Sequence, residues 1–539
     1  MLLNGHNTDV DTVRDLLRRR AELGNKRLLI VDDEALSYRQ ADTLSNALGN
    51  ALRQLGVAKG DVVASYLYNC TDHFVLWMAC VKIGAIWAPL NISLVGDDLS
   101  LALASCAPGA VVVDGELFDI YTAAGAADAG IRVVRGDARA GAPGWLSLAE
   151  LIAYPDQDEP GVTIDSGDPV ALIFTGGTTG LPKGVLLSST YCLAGALRYH
   201  EMFAPGSTDV HIGVGQMFHA IGSVLDILCP MYWGMTTVLT RWFSATRFWP
   251  TVRRHHATVS VLLSAVIVAL LARDPAGDDA ANSLRIAGSV TGGMDPARVA
   301  EFASRFQVRL LELYGQTETG APCCVGQRVD DPPFESQGAP HGWADIAVID
   351  PRGFPCATGE EGEIVLRMTE PGTFMSGYHN AAALYEERCR DLWFHTGDTG
   401  YLDERGNLHF AGRQAHKIRR RGENVSAYEV EQVILELKGV EECVVVGVPV
   451  GDGDEAVKAV ICPSALGPPD PGDVISHCVA RLAYFKVPRY VQFVPSLPRS
   501  SAKGEVLRHV LKAEGAGDSW DRESFGVEVR NQAFRPAGQ

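Results

Sequence analysis

The sequence has little of what a membrane protein or a nucleic-acid-binding protein needs. Its most apolar run, residues 259–272, is shorter than the ~20 residues of a membrane-spanning helix, so we expect a buried helix there and no membrane span. The N-terminal stretch soon turns polar, unlike a secretory signal. A net charge of −18, from 47 Lys and Arg against 65 Asp and Glu, argues against a basic surface for nucleic acid.

The sequence also lacks the cysteine spacing of metal and redox sites. Its 12 cysteines include no Cys-x-x-Cys pair, and only Cys323 and Cys324 stand together. We therefore expect reduced thiols in the core of a cytoplasmic protein, against the alternative of a disulfide or zinc framework. No tandem repeat is evident.

Short apolar strands alternate with amphipathic helices over residues 39–90, and the rhythm recurs at 100–114 and 169–240. This alternation is typical of α/β layers with largely parallel sheets. From about residue 362 the pattern changes to that of hairpins, with turn residues at 403–407. We expect an N-terminal domain over 1–412, a compact α+β domain over 413–514 and a loosely ordered polar tail over 515–539.

The most distinctive stretch is FTGGTTGLPKG, residues 174–184, which follows an apolar run typical of a buried strand. Glycines let a loop turn back and expose backbone N–H groups, which form a concave site for anions. A Walker A loop would need Ser or Thr directly after its lysine, but Lys183 stands between Pro182 and Gly184. The stretch predicts a different phosphate loop, suited to a nucleotide triphosphate, rather than a plain turn. Its candidate contacts are Thr175, Gly176, Gly177, Thr178, Thr179, Gly180 and Lys183.

The loop closely resembles the signature T-[SG]-G-[ST]-T-G-x-P-K-G of the adenylate-forming superfamily, which includes acyl-CoA synthetases, stand-alone adenylation domains and firefly luciferase. Every position is matched, and the resemblance covers essentially residues 30–512. It implies a large α/β domain with mixed, largely parallel sheets and a small distorted β-barrel, followed by a small α+β lid that rotates between two poses. Residues 420–431 and 485–494 look most like carnitine/crotonobetaine-type and medium-chain acyl-CoA ligases.

ELYGQTETG, residues 312–320, offers a carboxylate for a metal ion. Mg²⁺ prefers a few carboxylate or phosphate oxygens plus water, so Glu318 is the candidate metal ligand. A strand-to-helix cap would suit the same residues, and the two interpretations are evenly weighted on residues alone. The superfamily resemblance implies that Tyr314 stacks on adenine and that Thr317 contacts the α-phosphate, with Gly315 and Gln316 in the same nucleotide site.

HTGD, residues 395–398, would be an ordinary Asp turn in isolation. The following YLDERGNLHFAGR completes the superfamily's T-G-D…G-R arrangement, which implies that Asp398 binds the ribose diol and that Arg413 assists it. In GQMFHAIG, residues 215–222, the resemblance places His219 at the pocket for the substrate carboxylate, although a lone His among apolar residues is more often a core residue. The glycines of SVTGGMD, Gly292 and Gly293, are candidates for close approach to adenine or acyl group rather than a plain turn.

KIRRRGENVSAYEVE, residues 417–431, carries a basic cluster that would usually be a solvated face. The resemblance places Gly422 beside a pantetheine tunnel and makes Arg420 and Arg421 candidates for CoA phosphates. Two positions depart from the family pattern. The usual Asp or Lys of the lid hinge is Ala415 here, which a hinge tolerates because it needs only permissive backbone angles.

The second departure concerns the C-terminal motif P-x-x-x-x-G-K-[IV], whose lysine contacts the acyl carboxylate and the α-phosphate in the family. In PRSSAKGEVLRHVLK, residues 498–512, that position falls on Gly504 or Glu505, depending on the end from which it is counted. Lys503 is the nearest cation, and a flexible ammonium displaced by one or two residues is our candidate for the same catalytic role.

The sequence thus predicts an ATP-dependent carboxylic acid–CoA ligase that uses ATP, Mg²⁺ and CoA. A first alternative is an acyl-AMP ligase that loads the pantetheine of a carrier protein, although no carrier motif is visible. A second is a nucleotide-binding homologue with impaired adenylation, which the residues at 504–505 suggest. Further expectations are a small-molecule carboxylic acid as substrate, no nucleic-acid partner and a homodimer.

Overall fold

Helices and strands alternate along much of the chain. The strands form two large sheets, and in addition an antiparallel sheet and a smaller C-terminal sheet. The computed structural model describes residues 1–125, 129–136, 142–175, 183–290, 296–320, 325–328, 330–331, 336–340, 342–413, 417–420, 423–451, 454–482, 485–499 and 506–524.

The first large sheet holds the two ends of the candidate phosphate loop. Its inner strands are parallel, and two antiparallel strands complete one side. Across the described residues the strands lie in the order Gly377–Tyr378, Lys183–Ser188, Pro169–Thr175, Ile86–Pro89, Val62–Tyr66, Ala110–Asp114, Ile131–Arg135 and Leu146–Ser147. The apolar run before the loop is a buried strand, as predicted, and Thr175 pairs directly with Lys183.

The second large sheet is parallel except at its outer strands. Its order is Val325–Gly326, Arg309–Tyr314, Ile286–Val290, Val259–Leu263, Val210–Gly213, Thr236–Leu239, Arg27–Val31 and Glu34–Ser37. The prediction of one buried helix over 259–272 is wrong, because a strand precedes the helix Ser264–Leu271. That strand pairs in parallel with both neighbours, and periodicity alone does not separate a short buried strand from a buried helix.

The helix Thr71–Ile83 packs against strands of both large sheets and is buried on all sides from His73 onward. Its Trp77 stacks on Trp87 of the first sheet at 4.8 Å between ring centroids. Full burial of a large apolar side chain stabilises the fold by roughly 1.5–3 kcal/mol relative to leaving it exposed. Lys82 is fully buried here and donates to Asp42 at 2.6 Å and to Glu159 at 2.8 Å, so its charge is compensated.

Serine caps begin several helices, and the capping box of Ser37 with Gln40 is complete. The α-helices are Val13–Arg20, Tyr38–Gln54, Thr71–Ile83, Gly96–Cys106, Phe118–Ala123, Leu148–Ile152, Ser189–Phe203, Cys229–Tyr232, Ala245–His255, Ser264–Leu271, Pro296–Phe306, Ala382–Arg388, Ala427–Leu435, Pro471–Val479 and Arg508–Ala513. Ala21–Leu23 and Thr317–Thr319 are 3₁₀ turns, and Ile221–Leu228 is a π-helix.

The antiparallel sheet occupies the place of the predicted small barrel and forms a half-barrel. Its strands are Ala344–Ile349, Gly362–Met368, Trp393–Leu402, Cys389–Arg390 and Leu408–Arg413. The predicted hairpin over 398–413 is present, with Asp398 directly opposite Arg413. This register places the two predicted ribose-binding positions side by side on one sheet.

The C-terminal part has its own core and a mixed sheet. A hairpin of Lys417–Arg420 and Glu423–Ser426 precedes the strands Val440–Gly451, Asp454–Pro463, Tyr490–Phe493 and Trp520–Asp521. The prediction of a loose tail is wrong for 515–524, because the strand at 520–521 pairs with the sheet and Asp521 accepts two bonds from Arg489, each at 3.0 Å. Residues 525–539 lie outside the described residues.

The small C-terminal sheet unit contacts the half-barrel through the hydroxyl of Ser426, which donates to the Ala411 carbonyl at 3.0 Å. Tyr428 also meets Phe410 edge-on. The ten cysteines of the described residues are free thiols, while Cys323 and Cys324 lie outside that part of the chain. None of the described helices has both the length and the apolar character needed to cross a bilayer.

Candidate functional site

Asp398 is the centre of a hydrogen-bonded group that joins two of the predicted motifs. Its Oδ2 accepts from the Tyr314 hydroxyl at 2.9 Å and from Gln316 Nε2 at 2.8 Å. Gln316 Nε2 also donates to the Thr396 carbonyl at 3.0 Å, and the Thr396 hydroxyl accepts from the Asp398 amide. The Asp398 side chain is buried, so these donors compensate its charge and fix its orientation.

Tyr314 ends the strand Arg309–Tyr314 and is buried, with its ring tilted against Phe410 at 6.0 Å between centroids. The hydroxyl of Tyr314 therefore helps to orient the Asp398 carboxylate. Stacking of its ring on adenine stays a prediction.

Glu318 lies in the 3₁₀ turn Thr317–Thr319, which directly follows that strand. It is 8% exposed, and its Oε1 accepts from the Tyr378 hydroxyl at 3.0 Å. Burial, together with the Glu318 carboxylate, raises the pKa of Tyr378, so the phenol stays protonated and donates. The Met375 amide donates to the Glu318 carbonyl at 3.1 Å, which ties the turn to the segment before Tyr378.

Lys183 begins the strand that pairs with Gly377–Tyr378, so it lies on the same side of the first sheet as Tyr378. Burial lowers the pKa of Lys183, and the positive charge of Arg388 lowers it further, while Glu318 and Glu387 act in the opposite direction. The strand pairing places Lys183, the lysine of the candidate phosphate loop, close enough to the candidate metal ligand Glu318 for their charges to interact. That juxtaposition joins residues more than 130 positions apart in the sequence.

Thr317 belongs to the same 3₁₀ turn as Glu318 and is half-buried, as are Gly315 and Gln316. Its carbonyl accepts from the Tyr191 hydroxyl at 2.9 Å, a bond that connects the turn to the helix Ser189–Phe203. Thr175 is also half-buried at the end of its strand. The contact of Thr317 with a phosphate stays a prediction.

The residues fit a magnesium ion that is shared with phosphates. Among the described residues no group of three or more His, Cys, Asp and Glu side chains is placed to hold a metal. A single carboxylate such as Glu318, completed by phosphate oxygens and water, is the arrangement that Mg²⁺ accepts in nucleotide sites.

His219 lies half-buried in the turn before the π-helix, with its ring edge-on to Phe218 at 4.5 Å. The segment around it is held by the Asn69 side chain, which accepts from the Met217 amide at 2.9 Å and donates to the Gly215 carbonyl at 3.1 Å. A Cβ at Gly222 would collide with the Gln216 carbonyl, so this glycine is required by backbone packing.

A buried polar network holds the Gly215–His219 segment in place. His211 Nε2 and Asp226 Oδ1 are 2.8 Å apart, and Asp226 Oδ2 accepts from the Gly215 amide at 3.0 Å. The Tyr199 hydroxyl lies 2.8 Å from His211 Nδ1. Burial raises the pKa of Tyr199 well above its usual range, so this hydroxyl stays protonated beside the imidazole.

Arg420 is buried in the C-terminal fold. Its Nη1 donates to the Glu455 carbonyl at 3.5 Å, and its Nη2 lies 3.9 Å from Glu523. The contact of Arg420 with a CoA phosphate stays a prediction. The strand position of Arg413 is described but its side chain is not. The predicted residues outside the described part are Gly176, Gly177, Thr178, Thr179, Gly180, Gly292, Gly293, Arg421, Gly422 and Lys503, together with the hinge position Ala415.

The flanks of Lys503 are nevertheless described. Arg499 and Val506 form an antiparallel bridge, and the Leu507 amide donates to the Pro498 carbonyl at 2.8 Å. The two ends of the segment that carries Lys503 are therefore held together at the surface of the C-terminal fold.

Sequence reasoning missed Tyr378, Tyr191 and Arg388. Tyr378 and Tyr191 act through hydrogen bonds to residues more than 50 positions away, for which a single sequence carries no signal. Arg388 stands in YEERCRD, which has the composition of a solvated helix face.

Comparison with known proteins adds independent information. A family model described as AMP-binding enzyme matches residues 17–379, and one described as AMP-binding enzyme C-terminal domain matches 429–503. The chain is 30% identical over 502 residues to the crotonobetaine/carnitine–CoA ligases of Escherichia fergusonii and Shigella sonnei, covering 91% of this chain and 96% of each relative.

Solved structures show the same architecture. An anthranilate–CoA ligase with anthranoyl-AMP bound superimposes with a TM-score of 0.85 at 25% identity, covering 93% of this chain and 96% of that one. An ATP-bound MatB from Rhodopseudomonas palustris gives a TM-score of 0.81 at 25% identity, with 93% and 98% covered. A benzoate–CoA ligase from Burkholderia xenovorans LB400, at 21% identity and a TM-score of 0.84, shares the fold over 93% of this chain and 99% of that one.

Proposed function

The chain belongs to the family of AMP-binding enzymes and acts as an AMP-forming carboxylic acid–CoA ligase, and we propose that the site around Glu318 and Asp398 binds ATP and activates the acid. Asp398 takes the ribose. Lys183 and Thr317, with the loop that ends at Lys183, take the phosphates. Mg²⁺, when bound at Glu318, would neutralise part of the negative charge of the phosphates.

In the first half-reaction an oxygen of the substrate carboxylate attacks the α-phosphorus of ATP. The bond from that phosphorus to the bridging oxygen breaks, and pyrophosphate leaves with the electron pair. Lys183 stabilises the charge that develops on the phosphate oxygens, because its ammonium is held in a partly buried position by the strand pairing. His219 lines the side from which the carboxylate approaches.

In the second half-reaction the CoA thiol loses its proton and its sulfur attacks the acyl carbon. The carbon–oxygen bond to AMP breaks, which gives acyl-CoA and free AMP. No protein nucleophile is needed, because the mixed anhydride is already reactive, so the contribution of the protein is positioning and electrostatics.

We further propose that residues 413–514 act as a lid over this site and that Lys503 serves the first half-reaction from it. The motion is supported by the separate hydrophobic core of the C-terminal part. If no lysine reaches the site, adenylation is slow while thioester formation from a supplied acyl-adenylate persists.

One observation carries the proposal more than any other. Three separate sequence stretches supply buried hydrogen bonds that orient two carboxylates, those of Asp398 and Glu318. The charge of Glu318 also acts on Lys183. Buried, oriented carboxylates with a nearby lysine are typical of a functional site.

The test is product analysis with ATP, Mg²⁺, CoA and a panel of acids that includes crotonobetaine, carnitine, benzoate, anthranilate and medium-chain fatty acids. We expect acid-dependent release of pyrophosphate and AMP, together with the mass of an acyl-CoA for at least one acid. Asp398→Ala, which removes the ribose ligand, should abolish both. A product on carrier-protein pantetheine but not on CoA would favour the first alternative, and bound ATP without turnover of any acid would favour the second.

We also propose a cytoplasmic location, supported by the free thiols of the ten described cysteines and by the use of ATP and CoA. We further propose that the protein forms a homodimer, and light scattering would measure its oligomeric state. Within the panel, crotonobetaine and carnitine are placed first because the relatives at 30% identity are named for them.

The lowered pKa of Lys183 gives a prediction about pH. The charged lysine binds the polyphosphate, so the affinity for a non-hydrolysable ATP analogue is complete at low pH and falls as pH rises through the pKa of Lys183. Because that pKa is depressed, the fall should begin below the ordinary lysine value of about 10.4. Titration calorimetry between about pH 7 and about pH 10 measures it.

Lys183→Arg should remove this dependence, because a guanidinium stays charged over the whole range. Lys59→Arg is the matched control, since Lys59 pairs with Asp168 at 2.6 Å away from the site. Equal pH dependence in the wild type and in Lys183→Arg would contradict the assignment.

A further inference from the structure

Arg388 ends the helix Ala382–Arg388 and lies against the turn that carries Asp398. Its Nη1 donates to the His395 carbonyl at 3.1 Å. Gly397 has a φ of +71°, and a Cβ added there would lie 3.1 Å from the same nitrogen. The half-buried guanidinium is therefore packed directly on residues 395–397 of the predicted ribose-binding turn.

The same helix packs against the strand Gly377–Tyr378, which pairs with the strand that begins at Lys183. The charge of Arg388 acts on both neighbours: it helps to lower the pKa of Lys183 and opposes the rise in the pKa of Tyr378. Arg388 is thus close to the phosphate lysine on one side and to the ribose turn on the other.

Neither cation has an acidic partner within the described part of the chain. No carboxylate there lies within 4.0 Å of the Lys183 ammonium or the Arg388 guanidinium, and the hydrogen bond of Arg388 is to the neutral carbonyl of His395. Of the two carboxylates assigned to the site, Glu318 accepts from Tyr378, and Asp398 accepts from Tyr314 and Gln316. Glu318 and Glu387 act on Lys183 only from beyond ion-pair distance, so the two neighbouring positive charges still repel each other, and a bound anion relieves that repulsion.

We propose that Arg388 binds the β- and γ-phosphates of ATP together with Lys183 and stabilises pyrophosphate as it leaves. This inference rests on the proposed ATP site. Two positive charges match the pyrophosphate group, on which negative charge grows as its bond to the α-phosphorus breaks, and a guanidinium binds phosphate oxygens in a bidentate manner. The arginine contributes most once the bond has begun to break, so it favours the transition state.

The test compares three ligands that differ in the phosphates they carry. For Arg388→Gln, calorimetry should show about tenfold or greater weakening for a non-hydrolysable ATP analogue and for pyrophosphate, the size expected for one lost hydrogen bond to a charged group. The affinity for AMP should stay within about twofold, since AMP lacks both outer phosphates. Arg388→Lys should recover part of the pyrophosphate affinity.

AMP is also the internal control for the turn. If Arg388 only supports residues 395–397, Arg388→Gln disturbs Asp398 and weakens the ATP analogue and AMP, the two ligands that carry a ribose, while pyrophosphate binds as before, which would overturn the proposal. Unchanged affinity for all three would overturn it too. Arg390→Gln is the matched variant: Arg390 is exposed, donates to the Glu387 carbonyl at 2.7 Å, and should leave every affinity unchanged.

Failure of the ATP site itself gives a different result. A wild-type enzyme that binds neither the ATP analogue nor pyrophosphate would overturn the proposed site and this inference together. A wild type that binds both and forms acyl-CoA, with Arg388→Gln unaltered, would overturn only the role of Arg388.

Discussion

Glu318→Gln should lower acid-dependent pyrophosphate exchange by about a hundredfold or more, because an enzyme loses this much when one group that stabilises transition-state charge is removed. The amide keeps an oxygen that accepts from Tyr378, so the turn Thr317–Thr319 should keep its structure. What is lost is the negative charge that we assign to magnesium binding.

Two measurements separate this loss from misfolding. The affinity for the ATP analogue should rise with added Mg²⁺ in the wild type and become nearly independent of Mg²⁺ in Glu318→Gln. The thermal midpoint should change by no more than that of Glu386→Gln, an exposed carboxylate on the helix Ala382–Arg388. Exchange activity within about threefold of the wild type would refute the metal-ligand assignment.

The motifs were predictable because local chemistry determines them. The apolar run before residue 174 is a buried strand, and the hairpin over 398–413 forms where turn residues require it. The pairing of Thr175 with Lys183 follows from the strand on each side of one loop. In such cases the residue types that make the local structure are also those that bear the chemistry.

The partners of the motif residues were not predictable in the same way. The bond from Tyr378 to Glu318 spans 60 positions, and the cation pair of Lys183 and Arg388 depends on the packing of a helix on a strand far along the chain. The strand Val259–Leu263 was missed for a related reason: its state is decided by two parallel neighbours rather than by its own period.

The π-helix Ile221–Leu228 is another feature that no sequence pattern indicated. Such helices are rare, and single π turns occur frequently at functional sites. Here the helix places Asp226 so that one carboxylate oxygen meets His211 and the other meets the Gly215 amide. The cost of the unusual helix is thus offset by bonds that hold the segment carrying His219.

Asp226→Ala is expected to destabilise the fold strongly, by about 3–5 kcal/mol, because it leaves a fully buried imidazole and a buried amide without their acceptor. The thermal midpoint should fall by about 5 °C or more for this chain length. Asp278→Ala, which removes an exposed carboxylate paired with Arg253, should change it by less than about 1 °C.

The same network predicts a specific effect on function. Asp226→Asn keeps the volume and one acceptor oxygen, so it should fold at low temperature while the Gly215–His219 segment loses one of its bonds. We expect KM for the acid to rise and the affinity for AMP to stay unchanged, since Asp398 and Gln316 lie on other elements. Equal weakening of both ligands in Asp226→Asn would show that Asp226 supports the fold as a whole. For the stability prediction, an Asp226→Ala enzyme as stable as Asp278→Ala would show that the network contributes little.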